Sequence, residues 1–163
     1  MLDQPTGVLR VALPVDFANI YLAPIIVEFA KQYQGITFDL DLTPRLVDLV
    51  SEPFDVAIRM GSPADSTLIA RQLAVLPRFL YASPNYLKKN GEPKEPSDLV
   101  QHACIGFKTT KGGTWNLHKG KKSVDVTVKG RFQLNSVGMI RKLATLDMGI
   151  AMVPAEIVAE DVA

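Results

Sequence analysis

The chain of 163 residues carries 18 basic and 17 acidic side chains, a formal net charge of +1, and 47% of its residues are hydrophobic. This length suits one domain or two small lobes, and the balanced charge argues against a surface that holds DNA phosphates by itself. The single cysteine, Cys104, excludes an internal disulfide and a thiolate metal cluster and suits a reducing cytoplasm. No secretory leader and no apolar run of about 18 residues is visible, which predicts a soluble protein.

Strands and helical segments alternate in the first third of the chain. Apolar runs predict three strands, at residues 8–13, 36–42 and 54–60. After the first strand, apolar side chains recur every fourth residue, which predicts a helix capped by Asp16, kinked or loosened at Pro24 and ended by Gly35. Residues 44–52 predict a second, short helix. This alternation predicts parallel crossovers in a doubly wound α/β sheet.

The pattern changes after Gly61. Residues 68–83 form a long extended stretch interrupted by Pro77, which is typical of a strand running from one lobe into another. The elements predicted beyond it are a helix from Ser83 to Gly91, a cap at Ser97, strands at 103–107 and 150–154, a hairpin with its turn around Lys119–Lys122, a helix from Asn135–Ser136 to Gly149, and a helix starting in 155–163.

The order and spacing of these motifs resemble a known family. The stretches GVLRVALP, RLVDLVSEPFDVAIRMG, YASPNYLKKNGEPKEPSDLVQHACI and GIAMVP are similar to the effector-binding domain of LysR-type transcriptional regulators. The resemblance runs from about Gly7 to Pro154, which is nearly the whole chain. Each motif alone is weak, but the ordered set is specific.

The resemblance implies a two-lobed α/β domain of the periplasmic-binding-protein type 2, with a cleft for a small-molecule effector between the lobes. Residues 1–70 would form lobe one and residues 71–163 lobe two, without the C-terminal return to lobe one. It further implies a cytoplasmic homodimer or tetramer formed by lobe–lobe pairing, which contacts DNA only through an N-terminal helix-turn-helix outside this chain. Neither a cofactor, a metal, a membrane nor catalysis is expected.

The first candidate for the effector site is the segment Pro14, Val15, Asp16 and Phe17, between the first strand and the first helix. Ligands of open α/β sheets gather at the carboxyl ends of the strands, where a following helix presents free amides. The resemblance implies that effectors, frequently anionic, bind in this region. Asp16 would repel a carboxylate, and the alternative is that Asp16 is an ordinary helix cap.

The second candidate lies at the end of the third predicted strand and comprises Arg59, Met60 and Gly61. Arg59 either binds the effector or pairs with Asp16 at the cleft mouth. The alternative, which we favour slightly, is a structural ion pair with another carboxylate such as Asp39 or Asp55.

The third candidate is the start of the helix after the hairpin, which Asn135 and Ser136 are predicted to cap. The resemblance implies that this helix start faces the first one across the cleft, and two such termini could hold polar groups. Phe107, at the end of its strand, would add an apolar wall, although simple packing in the core is the favoured interpretation.

Two other classes of protein stay open at this point. A solute-binding protein of a transporter would share the architecture. A small hydrolase or transferase is weakly suggested by His102 and Cys104, which lie two residues apart on one face of a predicted strand. Nothing in the sequence indicates an activated thiol there, and a small buried cysteine is the usual case.

Overall fold

The computed structural model describes residues 4–45, 47–61, 67–108 and 113–162. The chain divides into two compact units, Met1–Leu73 and Ala74–Ala163. No helix among the described residues is long and apolar enough to cross a membrane.

The first unit contains a parallel sheet of three strands, as the sequence predicts. The strands are β1 (Gly7–Leu13), β2 (Ile36–Leu42) and β3 (Val56–Ala57), in the order β2-β1-β3. The central strand is apolar at its carboxyl end, where Ala12 and Leu13 are fully buried. The third strand is shorter than predicted because only two residues pair with β1 before the chain turns at Gly61, whose φ is 95°.

A continuous helical run follows β1. It comprises α1 (Val15–Phe17), a π-helical segment (Ala18–Leu22) and α2 (Ala23–Gln32). The N-cap residue is Pro14, so the prediction that Asp16 caps the helix is wrong; Asp16 lies in the first turn. Pro24 causes the expected irregularity, because it lacks an N–H group and its ring conflicts with the carbonyl four residues earlier. The wider π segment directly before Pro24 accommodates that conflict.

Aromatic contacts attach this helix to the sheet. The ring of Phe29 meets Phe38 of β2 edge-on, with centroids 6.0 Å apart, and meets Tyr33 at 4.6 Å. Other apolar side chains of α2 remain exposed on the first unit, among them Ile25 and Val27.

The predicted short helix at residues 44–52 is wrong: its described residues form turns. The side chain of Asp48 accepts hydrogen bonds from the backbone N–H of Val50 and from the hydroxyl of Ser51. The side chain of Glu52 accepts one from the backbone N–H of Asp48. These side chains satisfy backbone groups that a helix would otherwise use, which is how Asp and Ser compete with helix formation.

The second unit contains a mixed sheet of four strands and a separate hairpin. Its strands are β4 (Arg78–Tyr81), β5 (Cys104–Phe107), β6 (Thr114–Lys119), β7 (Lys122–Thr127), β8 (Gln133–Leu134) and β9 (Ile150–Pro154). The sheet order is β4-β9-β5-β8, and β6 pairs with β7 in the predicted hairpin. The sequence predicts one extended stretch at 68–83, but only its part Arg78–Tyr81 pairs with another strand. In the described part of the chain, residues 68–77 belong to no sheet.

Helix caps in the second unit follow the sequence in two of three positions. Ser83 caps α3 (Pro84–Asn90), which ends at Gly91, and Ser136 caps α4 (Val137–Thr145). The predicted cap at Ser97 is wrong, because Glu95 is the N-cap residue of the 3₁₀ helix Pro96–Gln101 and the Asp98 side chain accepts the Glu95 backbone N–H at 2.9 Å. Helix α4 ends before Gly149, since Asp147 adopts a left-handed conformation with φ 64°. The last element is a 3₁₀ helix, Ala155–Val158.

The four-stranded sheet separates two hydrophobic cores. Adjacent residues of a strand point to opposite faces, so Cys104 and Ile150 enter one core while their neighbours Ile105 and Ala151 enter the other. The first core also holds Trp115 and residues of α3 and the hairpin. The second is closed by α4 and the C-terminal 3₁₀ helix.

Replacement of Ser83 by alanine is expected to lower the free energy of unfolding by about 1–2 kcal/mol. The Ser83 hydroxyl accepts a hydrogen bond of 3.0 Å from the backbone N–H of Tyr86 and donates one to the carboxylate of Asp147. Urea denaturation would measure the loss. Ser97→Ala is the matched control, because Ser97 also lies next to a proline at a helix start but caps nothing; an equal loss in both variants would contradict the assignment.

Candidate functional site

The first two candidate segments lie at the same edge of the sheet in the first unit. Pro14–Phe17 follow the carboxyl end of β1, and Arg59–Gly61 follow that of β3. The two strands are adjacent: Ala12 pairs with Ala57, and the backbone N–H of Ile58 donates to the carbonyl of Ala12 at 2.8 Å. The sheet topology therefore brings together two segments that are more than 40 residues apart.

Arg59 does not make the structural ion pair that the sequence favoured. Its Nη1 donates to the backbone carbonyl of Arg45 at 2.8 Å, and its Nη2 is shielded from solvent without a hydrogen-bond partner in the described residues. The two carboxylates proposed as partners are engaged by Arg10 of the central strand. Asp39 lies 3.4 Å from the Arg10 Nε, and Asp55 accepts the Arg10 backbone N–H at 2.8 Å.

The alternative pairing of Arg59 with Asp16 is also absent among the ion pairs of the described residues. Burial lowers the pKa of the Arg59 guanidinium and repulsion by Arg45 lowers it further, while the negative charges of Glu52 and Asp41 act in the opposite direction. Arg59 is therefore a charged side chain at the sheet edge whose hydrogen bonding is only partly satisfied.

The loop between β2 and β3 holds the Arg45 carbonyl in place through an ion pair. Arg45 donates from both terminal nitrogens to the two carboxylate oxygens of Glu52, one of them at 2.8 Å. Hydrogen bonds from Arg45 and from the Asp48 backbone lower the pKa of Glu52 to about 2. No local pattern in the sequence joins Arg45 to Glu52, because residues 44–52 predict a helix rather than the turns that bring the two side chains together.

The Glu52 carboxyl is expected to titrate near pH 2, and the Arg45→Gln variant should raise this midpoint towards the ordinary value for glutamate. A lowered pKa means that the carboxylate stabilises the folded chain above its ordinary pKa of about 4.5, and that this contribution is lost as the pH falls from there towards about 2. Carboxyl ¹³C NMR would record both midpoints. The control Lys31→Gln removes a positive charge from α2 and leaves the Glu52 hydrogen bonds intact; an equal rise in that variant would contradict the local cause.

The third candidate segment lies at a sheet edge of the second unit. Phe107 of β5 pairs in parallel with Leu134 of β8, and Asn135 and Ser136 follow directly. The Ser136 hydroxyl accepts the Met139 backbone N–H at 3.2 Å, so Ser136 is the cap and Asn135 precedes it. Phe107 lies outside both hydrophobic cores and is 36% exposed, which makes the favoured interpretation of core packing wrong.

The Cys104 thiol and the His102 ring have different hydrogen-bond partners, the Leu99 carbonyl and the Tyr86 hydroxyl. Cys104 is buried, and burial raises the pKa of its thiol to about 11, so the thiol is protonated at neutral pH. The Nδ1 of His102 lies 3.1 Å from the hydroxyl of Tyr86, which also accepts the backbone N–H of Ala103. Among the described residues, no three His, Cys, Asp or Glu side chains are grouped to hold a metal ion.

Comparison of the chain with known proteins identifies the family to which it belongs. Residues 2–163 match the family described as LysR substrate binding domain, and the chain belongs to that family. The resemblance predicted from the sequence motifs is thereby confirmed.

Among similar proteins is the HTH-type transcriptional regulator PgrR of Escherichia coli K12, 30% identical over 156 residues that cover 93% of this chain and 52% of that protein. The HTH-type transcriptional regulator DmlR of the same organism is 33% identical over 150 residues, covering 91% of this chain and 49% of that protein. The chain thus spans about half the length of these curated relatives. They are regulators, which gives no support to a transporter's solute-binding protein.

Similar folds occur among solved regulatory domains. The regulatory domain of CrgA, a LysR-type transcriptional regulator from Neisseria meningitidis, matches with a TM-score of 0.82 and 29% identity, covering 97% of this chain and 78% of that chain. The predicted fold class, the α/β domain of LysR-type regulators, is confirmed by this likeness.

Proposed function

We propose that the chain is the sensing domain of a transcriptional regulator and binds a small-molecule effector. Family membership supports the regulatory role, and the gathering of separate candidate segments at the carboxyl edges of parallel strands supports the binding site. The residues assigned to the effector are Pro14, Val15, Asp16, Phe17, Arg59, Met60 and Gly61 in the first unit, and Phe107, Asn135 and Ser136 in the second. Residues 1–70 would form one lobe and residues 71–163 the other.

The effector would act by shifting the balance between two arrangements of the regulator. A ligand shifts such an equilibrium only by its different affinity for the two states. The response would reach DNA through a helix-turn-helix domain elsewhere in the full-length protein, working as a cytoplasmic homodimer or tetramer. The relatives support this assignment, because they are HTH-type regulators about twice as long as the matched region.

A thermal-shift screen with a library of metabolites tests the proposal, followed by calorimetric titration of each compound that stabilises the chain. A true effector should lose at least about tenfold in affinity in Phe107→Ala, which removes an exposed aromatic wall from the second unit. Its affinity should also change in Asp16→Ala in the first unit, with a gain for an anionic effector because a repelling carboxylate is removed. The control is Met139→Ala, which changes an exposed side chain at the third residue of α4. A ligand that binds Asp16→Ala and Phe107→Ala as tightly as the wild type would show that the site is misplaced.

A further inference from the structure

The hairpin of the second unit, β6–β7, extends one of its faces beyond the hydrophobic core. Side chains at every second position of a strand share a face, so this face carries three cross-strand pairs: Trp115 with Val126, Leu117 with Val124, and Lys119 with Lys122. The first pair is buried in the core, the second is only partly covered, with Val124 44% exposed, and the third is exposed at the tip. The face therefore passes from the core, through exposed apolar surface, to positive charge.

The tip of the hairpin concentrates positive charge. Lys119 and Lys122 lie directly opposite one another across the turn of Gly120 and Lys121, which adds a third lysine. None of these lysines belongs to an ion pair within the described residues. Like charges directly opposite one another on paired strands are destabilising. An anionic group bound at the tip would relieve that repulsion.

An apolar groove adjoins the same hairpin. It has a volume of about 470 Å³, and its lining includes Val100 of the 3₁₀ helix that follows α3, Val124 of β7, and Lys129. Both valines are exposed, Val100 by 57%. The Asp125 carboxylate also lines the groove, but it already accepts a hydrogen bond from the amide of Asn116 at 2.5 Å. Exposed valines next to unpaired lysines fit a partner that brings both an apolar side chain and carboxylates.

We propose that the hairpin tip and this groove form a docking surface for an acidic segment of a partner protein. An apolar side chain of the segment would lie on Val100 and Val124, and its carboxylates would lie beside Lys119 and Lys122. A formal net charge of +1 provides no broad basic surface for nucleic-acid phosphates, whereas a short acidic segment needs only a few lysines. The surface contains none of the residues assigned to the effector, so its test is independent of the proposed function.

Short synthetic peptides test the chemistry of the partner on the 163-residue chain by fluorescence anisotropy. A labelled peptide of glutamates with two leucines is compared with a peptide of glutamates alone and with one in which lysines replace the glutamates. We expect the glutamate–leucine peptide to bind at least about tenfold more tightly than the lysine–leucine peptide and at least about threefold more tightly than the glutamate peptide. Its affinity should fall as the concentration of sodium chloride rises, because salt screens exposed charges.

Charge reversal at the tip has a matched control in the same unit. Lys119→Glu/Lys122→Glu should weaken binding of the glutamate–leucine peptide at least about tenfold, and it leaves a like-charge pair across the turn as before. Lys88→Glu/Lys89→Glu makes the same change in net charge on exposed positions of α3 and should weaken binding less than about twofold. Val124→Ser should weaken it at least about threefold, because the groove loses apolar surface. Circular dichroism of each variant checks the fold.

The single variant Lys119→Glu separates binding from stability. It places opposite charges across the turn, so the thermal midpoint followed by the fluorescence of Trp115 should rise by about 1–4 °C. The affinity for the glutamate–leucine peptide should fall in the same variant. A rise in the midpoint with unchanged affinity would show that the lysines only keep the tip solvated, which would overturn the docking surface.

Other outcomes overturn the inference directly. It fails if the glutamate–leucine peptide binds the wild type with a dissociation constant above about 1 mM, if the leucines add nothing, or if the α3 control weakens binding as much as the tip variant. A short DNA duplex or phosphatidylserine vesicles that bind more tightly than the peptide, and lose affinity in Lys119→Glu/Lys122→Glu, would assign the tip to nucleic acid or to a membrane instead. None of these results bears on the effector site, which fails separately if the metabolite library yields no ligand.

Discussion

Replacement of Gly130 by alanine is expected to lower the free energy of unfolding of the second unit by about 3 kcal/mol. A Cβ atom at this position would overlap the carbonyl oxygen of Cys104 and lie 2.8 Å from its carbonyl carbon. These are backbone atoms, so no side-chain rotation relieves the overlap. The backbone N–H of Cys104 also donates to the carbonyl of Lys129 at 2.9 Å, and separating the segments to make room would break this bond.

Urea denaturation followed by the fluorescence of Trp115 would measure the effect of Gly130→Ala. Trp115 is the only tryptophan and is buried in the core that also contains Cys104. The control is Gly120→Asn in the hairpin turn, where φ is 61° and no atom lies within 4 Å of an added Cβ. Asparagine tolerates this left-handed conformation, so the control should change stability by less than about 0.5 kcal/mol. Similar losses in both variants would contradict the steric explanation.

Truncation of Ile140 to alanine is expected to destabilise the second unit by about 2–5 kcal/mol. Ile140 is 1% exposed in the core closed by α4, where it packs in one cluster with Ile105 and Val153. Removing its three outer carbons loses apolar burial and leaves a cavity that the surrounding strands fill only in part. Ile140→Val removes one carbon and should cost only about 0.5–1.5 kcal/mol.

The neighbouring residue provides the control for Ile140. Met139 is 52% exposed, so Met139→Ala should change the free energy of unfolding by less than about 0.5 kcal/mol. Chemical denaturation followed by far-ultraviolet circular dichroism would record all three variants on the same signal. A loss for Ile140→Ala no greater than that for Met139→Ala would show that α4 does not close this core.

Elements with a strong local pattern were predictable. Both Ser83 and Ser136 cap helices as predicted, because a cap depends on the serine and the N–H groups of the next turn. The parallel sheet and the hairpin follow from apolar runs and short connections. For the same reason, the sequence indicated the segments of the candidate site, since strand ends can be read from where apolar runs stop.

Side-chain partners that are distant in the sequence were not predictable. Residues 44–52 have the apolar spacing of a helix, yet Asp48, Ser51 and Glu52 bind the backbone and one another instead. The predicted ion pair of Arg59 with Asp39 or Asp55 was wrong, because Arg10 contacts both carboxylates. Arg10 lies on β1, the strand between β2 and β3. The exposure of Phe107 likewise depends on which elements cover β5, and no local sequence pattern predicts that packing.

The family, most of the strands and the three candidate segments could be read from the amino-acid sequence alone. Those features depend on apolar periodicity, caps and motif order, all of which act over a few residues. The sharing of one sheet edge by Pro14–Phe17 and Arg59–Gly61, and the hydrogen bond from Arg59 to the Arg45 carbonyl, depend on the tertiary structure. The physical reason is competition: each charged group pairs with the best-placed partner, and placement is set by strand order and loop path.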